Sequence, residues 1–279
     1  MTPISLQAVI NDLGNLPAAP AVVMQLMEYL ERDEVEGKEV ARLIAQDPVL
    51  AAKCLSLANS SVYAVQRRVS TIQDALVVVG QQAVAAMVSS MAVTERFQRL
   101  RIEGYDPRNF WLHSVCTAFS ARALARYTRI NPETAFVTGL IHDIGQLALA
   151  ARFPEHFSAV LEYKRDKDCR TIDAEKRVLG FTHSQVGEAV AEELKFTPEV
   201  ARAVAGHHEP EAHPASTLTS LIHVADVLGH TLEFAQDEND LAPRMAEFAL
   251  DRLGLGWADL KQVMAEVDAQ RQDADLFLH

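Results

Sequence analysis

Seven side chains in the second half of the sequence have the types and placement to hold a metal: His113, the adjacent pair His142-Asp143, His183, the adjacent pair His207-His208, and Asp226. They fall on five separate helical segments. A lone histidine on an apolar helix is more often a satisfied core or surface group than a ligand. Seven imidazoles and carboxylates on successive helices of one bundle are a different case, because burying each is costly unless they share partners or a metal. Imidazole plus carboxylate without thiolate suits iron, manganese, zinc, cobalt or nickel better than copper(I) or an iron-sulfur cluster, and the sequence does not choose among these metals. One or two divalent ions are expected. Two ions bridged by a carboxylate and a hydroxide need about seven protein groups, and such a pair can activate water for in-line attack on a phosphodiester. Gln146, His223 and Glu209 stand close to these residues in sequence and are candidates to support the ligands or face a substrate.

The elements that must position these groups are helices. His113, Cys116, Thr117 and Ser120 recur at i, i+3, i+4 and i+7, giving one small polar face suited to lining a pocket, while Trp111, Leu112, Val115 and Phe119 pack elsewhere. Val137, Leu140, Ile141 and Ile144 bury the next helix and leave His142-Asp143 at the edge of its apolar stripe, near an end signalled by Gly145. Asn131-Pro132-Glu133 and Thr197-Pro198-Glu199 are start signals, and Thr182 with Gln185 forms a capping box that sets His183 in a first turn. There the positive helix end favours the neutral imidazole that a metal requires. His207-His208 close a helix before Pro210, and Asp226 lies on the following one, three residues after His223.

The first hundred residues read as short helices separated by turn signals, with stripes at Val23, Leu26, Met27 and Leu30, at Val40, Leu43 and Ile44, and at Val84, Met87, Val88 and Met91. Pro48 halts the second of these. Arg67 and Arg68 sit in a polar connection from Val65 to Thr71 that reads as a solvated loop. Asp237-Glu238-Asn239-Asp240 reads as a linker, and the last helix carries Leu260, Val263, Met264 and Val267 on one face, expected to pack on its own domain. The expected organisation is an N-terminal helical layer over 1–104, a helical bundle with the candidate site over 105–235, and C-terminal helices over 236–279.

Composition narrows the function. With 279 residues, 49% hydrophobic and 23% charged, the chain can build an extensive core. Twenty-six basic against thirty-eight acidic residues give a net charge of -12, which disfavours phosphate backbones and anionic membranes. Apolar runs such as Ala83 to Val88 fall far short of the roughly 20 residues of a membrane span, and no leader pattern opens the chain, so a cytoplasmic protein is expected. Cys54, Cys116 and Cys169 lack C-x-x-C spacing, which argues for reduced thiols rather than disulfides or a thiolate site.

The run Gly139-Leu140-Ile141-His142-Asp143-Ile144-Gly145, with Trp111-Leu112-His113-Ser114 before it and His207-His208-Glu209-Pro210 and His223-Val224-Ala225-Asp226 after it, resembles the HD superfamily. Leu16-Pro17-Ala18-Ala19-Pro20, Ala45-Gln46-Asp47-Pro48-Val49-Leu50 with Leu57-Ala58-Asn59-Ser60, and Thr71-Ile72 with Ala75 leading to Gly80 are similar to its HDOD branch, so that the resemblance spans roughly residues 10 to 230. That resemblance implies an all-α, multi-helical module of bacterial signalling proteins, joined to response-regulator or cyclic-nucleotide partners, most often without established catalysis. Similarity to the related HD-GYP phosphodiesterases implies metal-ligand roles for His113, His142, Asp143, His183, His207, His208 and Asp226. Asp143 would bridge one site made with His113, His142 and Asp226 and another made with His183, His207 and His208.

Two departures stand against catalysis on cyclic dinucleotides. Gln146 occupies the place of a lysine after the HD-I-G run, removing a cation near a substrate phosphate, and Pro210-Glu211-Ala212 follows His208-Glu209 where Gly-Tyr-Pro is expected. The expectation is therefore a regulatory module with signalling proteins as partners, with metal-dependent phosphohydrolase as the alternative. A homodimer stays open.

Overall fold

A computed structural model describes residues 3–13, 37–45, 48–60, 63, 65, 68–80, 84, 102–194, 196–232, 234–235 and 241–274. Among these residues the architecture is all α, with no strand beyond an isolated bridge between Ile102 and Tyr105. The stripe at Val23 to Leu30, the residues Met87, Val88 and Met91, Arg67, and the linker at Asp237 to Asp240 lie outside the described residues.

The N-terminal part comprises α1 (Leu6–Asp12), α2 (Gly37–Ile44), α3 (Pro48–Ala58) and α4 (Ile72–Val79). Ser5 caps α1 by accepting from the Ala8 amide, and Thr71 caps α4 by accepting from Asp74. Val40, Leu43 and Ile44 bury the apolar face of α2 as their spacing requires. The connection to α4 is solvated at Arg68 but pinned at Val69, whose amide and carbonyl both bond the Asn59 side chain.

The centre of the bundle is α5 (Pro107–Ala125), with α6 (Pro132–Ile141), α7 (Ile144–Arg152), α8 (Pro154–Lys167), α9 (Thr171–Val178), α10 (His183–Glu193), α11 (Pro198–Gly206) and α12 (Thr217–Leu232) arranged around it. Helix α5 packs along α6 and α12, while α10 packs against both α7 and α11. The expected caps form: Asn131 accepts from Glu133 and Thr134, the capping box of Thr182 and Gln185 is complete, and Thr197 accepts from Val200. The carboxyl-terminal helices α13 (Glu247–Leu253), α14 (Trp257–Asp268) and α15 (Arg271–Ala274) close the fold. Leu260, Val263 and Val267 of α14 are buried, and that helix lies on α5 of its own chain.

Two local readings need correction. Gly145 does not end a helix; it lies inside α7, where a Cβ would overlap the His183 carbonyl oxygen and crowd the Gly187 amide. Its role is to let α7 and α10 touch backbone to backbone. The small polar face of α5 is not a pocket wall either. Thr117 meets α12 at Gly229, where a Cβ would also crowd the His113 ring, and only His113 of the four residues reaches the pocket. Finally, Pro132–Arg152 is long and apolar enough by composition to cross a membrane, yet 83% of that window is buried inside the protein and it breaks at His142-Asp143. It is a core segment. Cys54 and Cys116 are buried, Cys169 is half-buried, and all three are free thiols.

Candidate metal centre

The break between α6 and α7 places His142 at the carboxyl end of one helix and Asp143 at the amino end of the next, both buried. Gly139 makes this possible, because a Cβ there would press on the α5 backbone at Ala118. Helix α5 brings His113, the first turn of α10 brings His183, the end of α11 brings His207 and then His208, and the middle of α12 brings Asp226. All seven residues picked out by sequence converge on one centre.

The donor atoms face one another. His113 Nε2 lies 3.0 Å from Asp226 Oδ1 and 3.2 Å from His142 Nε2. His142 Nε2 lies 3.5 Å from both Asp226 Oδ1 and Asp143 Oδ2. On the other side of Asp143, Oδ1 lies 3.0 Å from His183 Nε2 and 3.4 Å from His207 Nε2, while His208 Nε2 is 3.1 Å from His183 Nε2. Asp143 thus stands between two groups of imidazoles, the placement that the resemblance assigns to a bridging residue.

Three imidazoles are fixed from behind. His142 Nδ1–H donates to the Gly139 carbonyl and His207 Nδ1–H to the Val204 carbonyl, each at 2.7 Å. His183 Nδ1–H donates to Glu175 Oε2, also at 2.7 Å, and that oxygen accepts the His183 amide as well. With Nδ1 held by these acceptors, Nε2 of each ring is aimed at the centre, the orientation that outer hydrogen bonds impose on metal-binding histidines.

Electrostatics follow from crowding. Burial alone would raise the carboxyls of Asp143 and Asp226, but the surrounding imidazoles outweigh it and hold both well below the usual range. Burial and the neighbouring His207 and His183 push His208 well down, and burial with the neighbouring His230 lowers His113. For His183, burial is outweighed by Glu175 and Asp143, which hold it well above the ordinary imidazole value. The expectation that the helix end keeps this ring neutral is therefore corrected: without a metal, two carboxylates dominate over the helix terminus.

The residues fit a metal. Asp143 Oδ1, His207 Nε2, His208 Nδ1 and Asp226 Oδ2 are buried without a hydrogen bond of good geometry, and their neighbours at 3.0 to 3.8 Å are one another and His183, a ring of facing donor atoms that a cation would satisfy. The donor separations of 3.0 to 3.5 Å also match a shared ion. Metal–nitrogen bonds of about 2.1 Å give polyhedron edges of about 3.0 Å in an octahedron and about 3.4 Å in a tetrahedron. Asp143, His183, His207 and His208 offer one such set, and His113, His142 and Asp143 another.

The supporting candidates separate. Gln146 donates from Nε2 to Asp143 Oδ2 at 2.7 Å and lines the pocket. His223 lies behind His207, donating from Nδ1 to its carbonyl and accepting the Ala246 amide at Nε2. Glu209 turns to the surface, where it pairs with Lys176 at 2.5 Å, and does not line the pocket. Sequence reading missed His230, one helical turn beyond Asp226, with Nε2 3.4 Å from Asp226 Oδ1. It also missed Glu175, whose neighbours Asp173, Lys176 and Arg177 make its segment read as a solvated face.

The centre opens into a pocket of about 160 Å³, room for on the order of ten water molecules. Lys164, Arg165 and Arg170 line it, together with Thr171 and Ile172 at the start of α9.

The HDOD domain pattern matches residues 16–210 of this chain. Among solved structures, a Shewanella amazonensis protein described as "Putative phosphohydrolase" superimposes with a TM-score of 0.76 at 25% identity, covering 97% of this chain and 98% of that one. An HDOD domain protein of unknown function from Geobacter sulfurreducens aligns over the same shares at 24% identity and a TM-score of 0.74, a likeness of fold. An uncharacterized protein of Treponema pallidum is 21% identical over 233 residues, which are 83% of this chain. The chain spans 45% of the length of that relative.

Proposed function

Because the chain belongs to the HDOD domain family, we propose that it is a signalling-type HDOD module whose histidine–aspartate centre binds one or two divalent transition metals and hydrolyses a phosphate ester. The observation that carries this reading is the cluster of buried imidazole and carboxylate donors, short of hydrogen bonds at Asp143, His207, His208 and Asp226, which opens into a pocket through His113, Asp143, His183 and His208. A centre built only to hold the fold together would have no need to face solvent.

His183, His207, His208 and Asp143 would hold one ion and His113, His142 and Asp226 another, with Asp143 between them. A bound ion supplies Lewis-acid activation of water and neutralises phosphate charge. The chain supplies the rest. Glu175, Gly139 and Val204 fix the imidazole orientations. Lys164, Arg165 and Arg170 provide the cationic wall that Gln146 cannot, although Arg170 is shared with Asp173 and Arg165 lies 3.9 Å from Glu103. The Thr171 and Ile172 amides begin a helix that has no side-chain cap and add donors for an anionic group. The Shewanella relative described as a "Putative phosphohydrolase" is in keeping with the same chemistry.

A second reading, a non-catalytic module that reports to partner signalling proteins, is favoured by Gln146. Its amide already engages Asp143 Oδ2, and no Gly-Tyr-Pro follows His208-Glu209. The two readings divide on one experiment. Metal analysis of protein purified without chelator should show bound transition metal that a His142→Ala/Asp143→Ala variant lacks; equal content in both would defeat the metal centre. A panel of phosphomonoesters, cyclic nucleotides and cyclic dinucleotides, assayed with several metals, should then reveal metal-dependent release of phosphate or nucleotide. Metal without any turnover leaves the regulatory reading.

A further inference from the structure

Resting on the metal-binding reading above, we propose that His230 is a further metal ligand, a donor that joins His113 and Asp226 on the Asp226 side of the centre. His230 stands one helical turn after Asp226 on α12, so both side chains leave the helix on the same face. Its Nε2 lies 3.4 Å from Asp226 Oδ1, and its ring lies 4.3 Å from the His113 ring. The donor atoms of His113, Asp226 and His230 all fall within 4.8 Å of one another, as do those of Asp143, His183, His207 and His208. His142 Nε2, at 3.2 Å from His113 and 3.5 Å from Asp226, lies beside this trio.

The approach is built into the backbone. Gly229, immediately before His230, has no Cβ to crowd the His113 ring or Thr117, so α12 can bring Asp226 and His230 against α5 at His113. His230 also lines the pocket, so it sits on the side from which a metal ion would enter. A histidine that merely hydrogen-bonds Asp226 would share this location, and the two roles differ in whether the side chain at this position touches the ion.

Cobalt(II) is the probe, added to the full chain. In a His230→Cys variant, ligation places a thiolate on cobalt and produces an intense near-ultraviolet sulfur-to-metal charge-transfer band, absent from the parent protein, whose free cysteines serve as the control. A folded variant that binds cobalt without this band, and with the parent's affinity and visible spectrum, overturns the proposal. Where the cysteine variant does not fold, His230→Gln replaces it. The expected result is a loss of about 100-fold in affinity for one cobalt ion with a changed visible d–d band, and unchanged affinity with an unchanged band overturns the assignment. Failure confined to His230 leaves the wider reading standing. Full cobalt binding by the His142→Ala/Asp143→Ala variant instead overturns that reading and this inference together.

Discussion

Glu175 does for His183 what the Gly139 and Val204 carbonyls do for His142 and His207: it holds the Nδ1 proton and aims Nε2 at the centre. Glu175→Gln keeps the shape and removes the charge, so metal affinity should fall by about 10- to 100-fold, as read by titration with cobalt(II). An unchanged affinity would show that His183 needs no carboxylate behind it. The raised His183 and His142 also mean that a metal must displace protons when it binds near neutral pH. Calorimetry in buffers of different ionisation enthalpy should record net proton release, and affinity should climb with pH. The candidate ligands themselves were legible in sequence because their types are rare together and most of them, His142, Asp143, His183, His207 and His208, sit at helix ends. Glu175 was not, since one acid among Asp173, Lys176 and Arg177 carries no mark of burial. His230 left a usable signal in its four-residue spacing from Asp226. The cationic wall was hidden for a different reason: Lys164 and Arg165 at the end of α8 and Arg170 just before α9 reach the centre only through tertiary packing.

At the scale of elements, the site depends on how closely helices approach. Gly145 lets α7 rest on the first turn of α10, and thereby sets Asp143 against His183. Gly145→Ala should force these helices apart at a cost of at least about 1–3 kcal/mol, seen as a lowered unfolding midpoint with reduced metal content. Native midpoint and native metal content together would show that the contact is slack. The residue was visible in the sequence, but read as a helix terminator. Whether a glycine ends a helix or permits a crossing depends on what lies opposite, and that information sits near residue 183. Helix starts were easier, because Asn131, Thr182 and Thr197 cap amides within their own first turns. By the same logic Leu260→Ala on α14 should cost about 2–5 kcal/mol in denaturant unfolding without altering metal content, since Leu260 packs in the core away from the centre. A parallel loss of metal would mean that α14 shapes the site.

Across the whole molecule, a net charge of -12 surrounds a pocket whose wall carries Lys164, Arg165 and Arg170. Anion binding there rests on local cations working against the global field, and salt screens the long-range repulsion more than these close contacts, so binding of inorganic phosphate should hold or strengthen as moderate salt is added; a steep loss in titrations at rising ionic strength would show that the pocket cations do not offset the field. The amino-terminal helices are joined to the bundle by polar seams. Tyr63 donates to Glu133, Arg122 pairs with Glu133 and lies over the Tyr63 ring, and Arg152 pairs with Asp12. The proposed ligands come from six helices spread from position 113 to position 230, and an unfolded chain holds none of them together. A bound ion would therefore act as a tether across most of the bundle, and its binding free energy would add directly to resistance against unfolding. At a free metal concentration about 100 times the dissociation constant, that contribution reaches about 2.7 kcal/mol. The melting temperature of this protein should consequently track the metal supply of its surroundings.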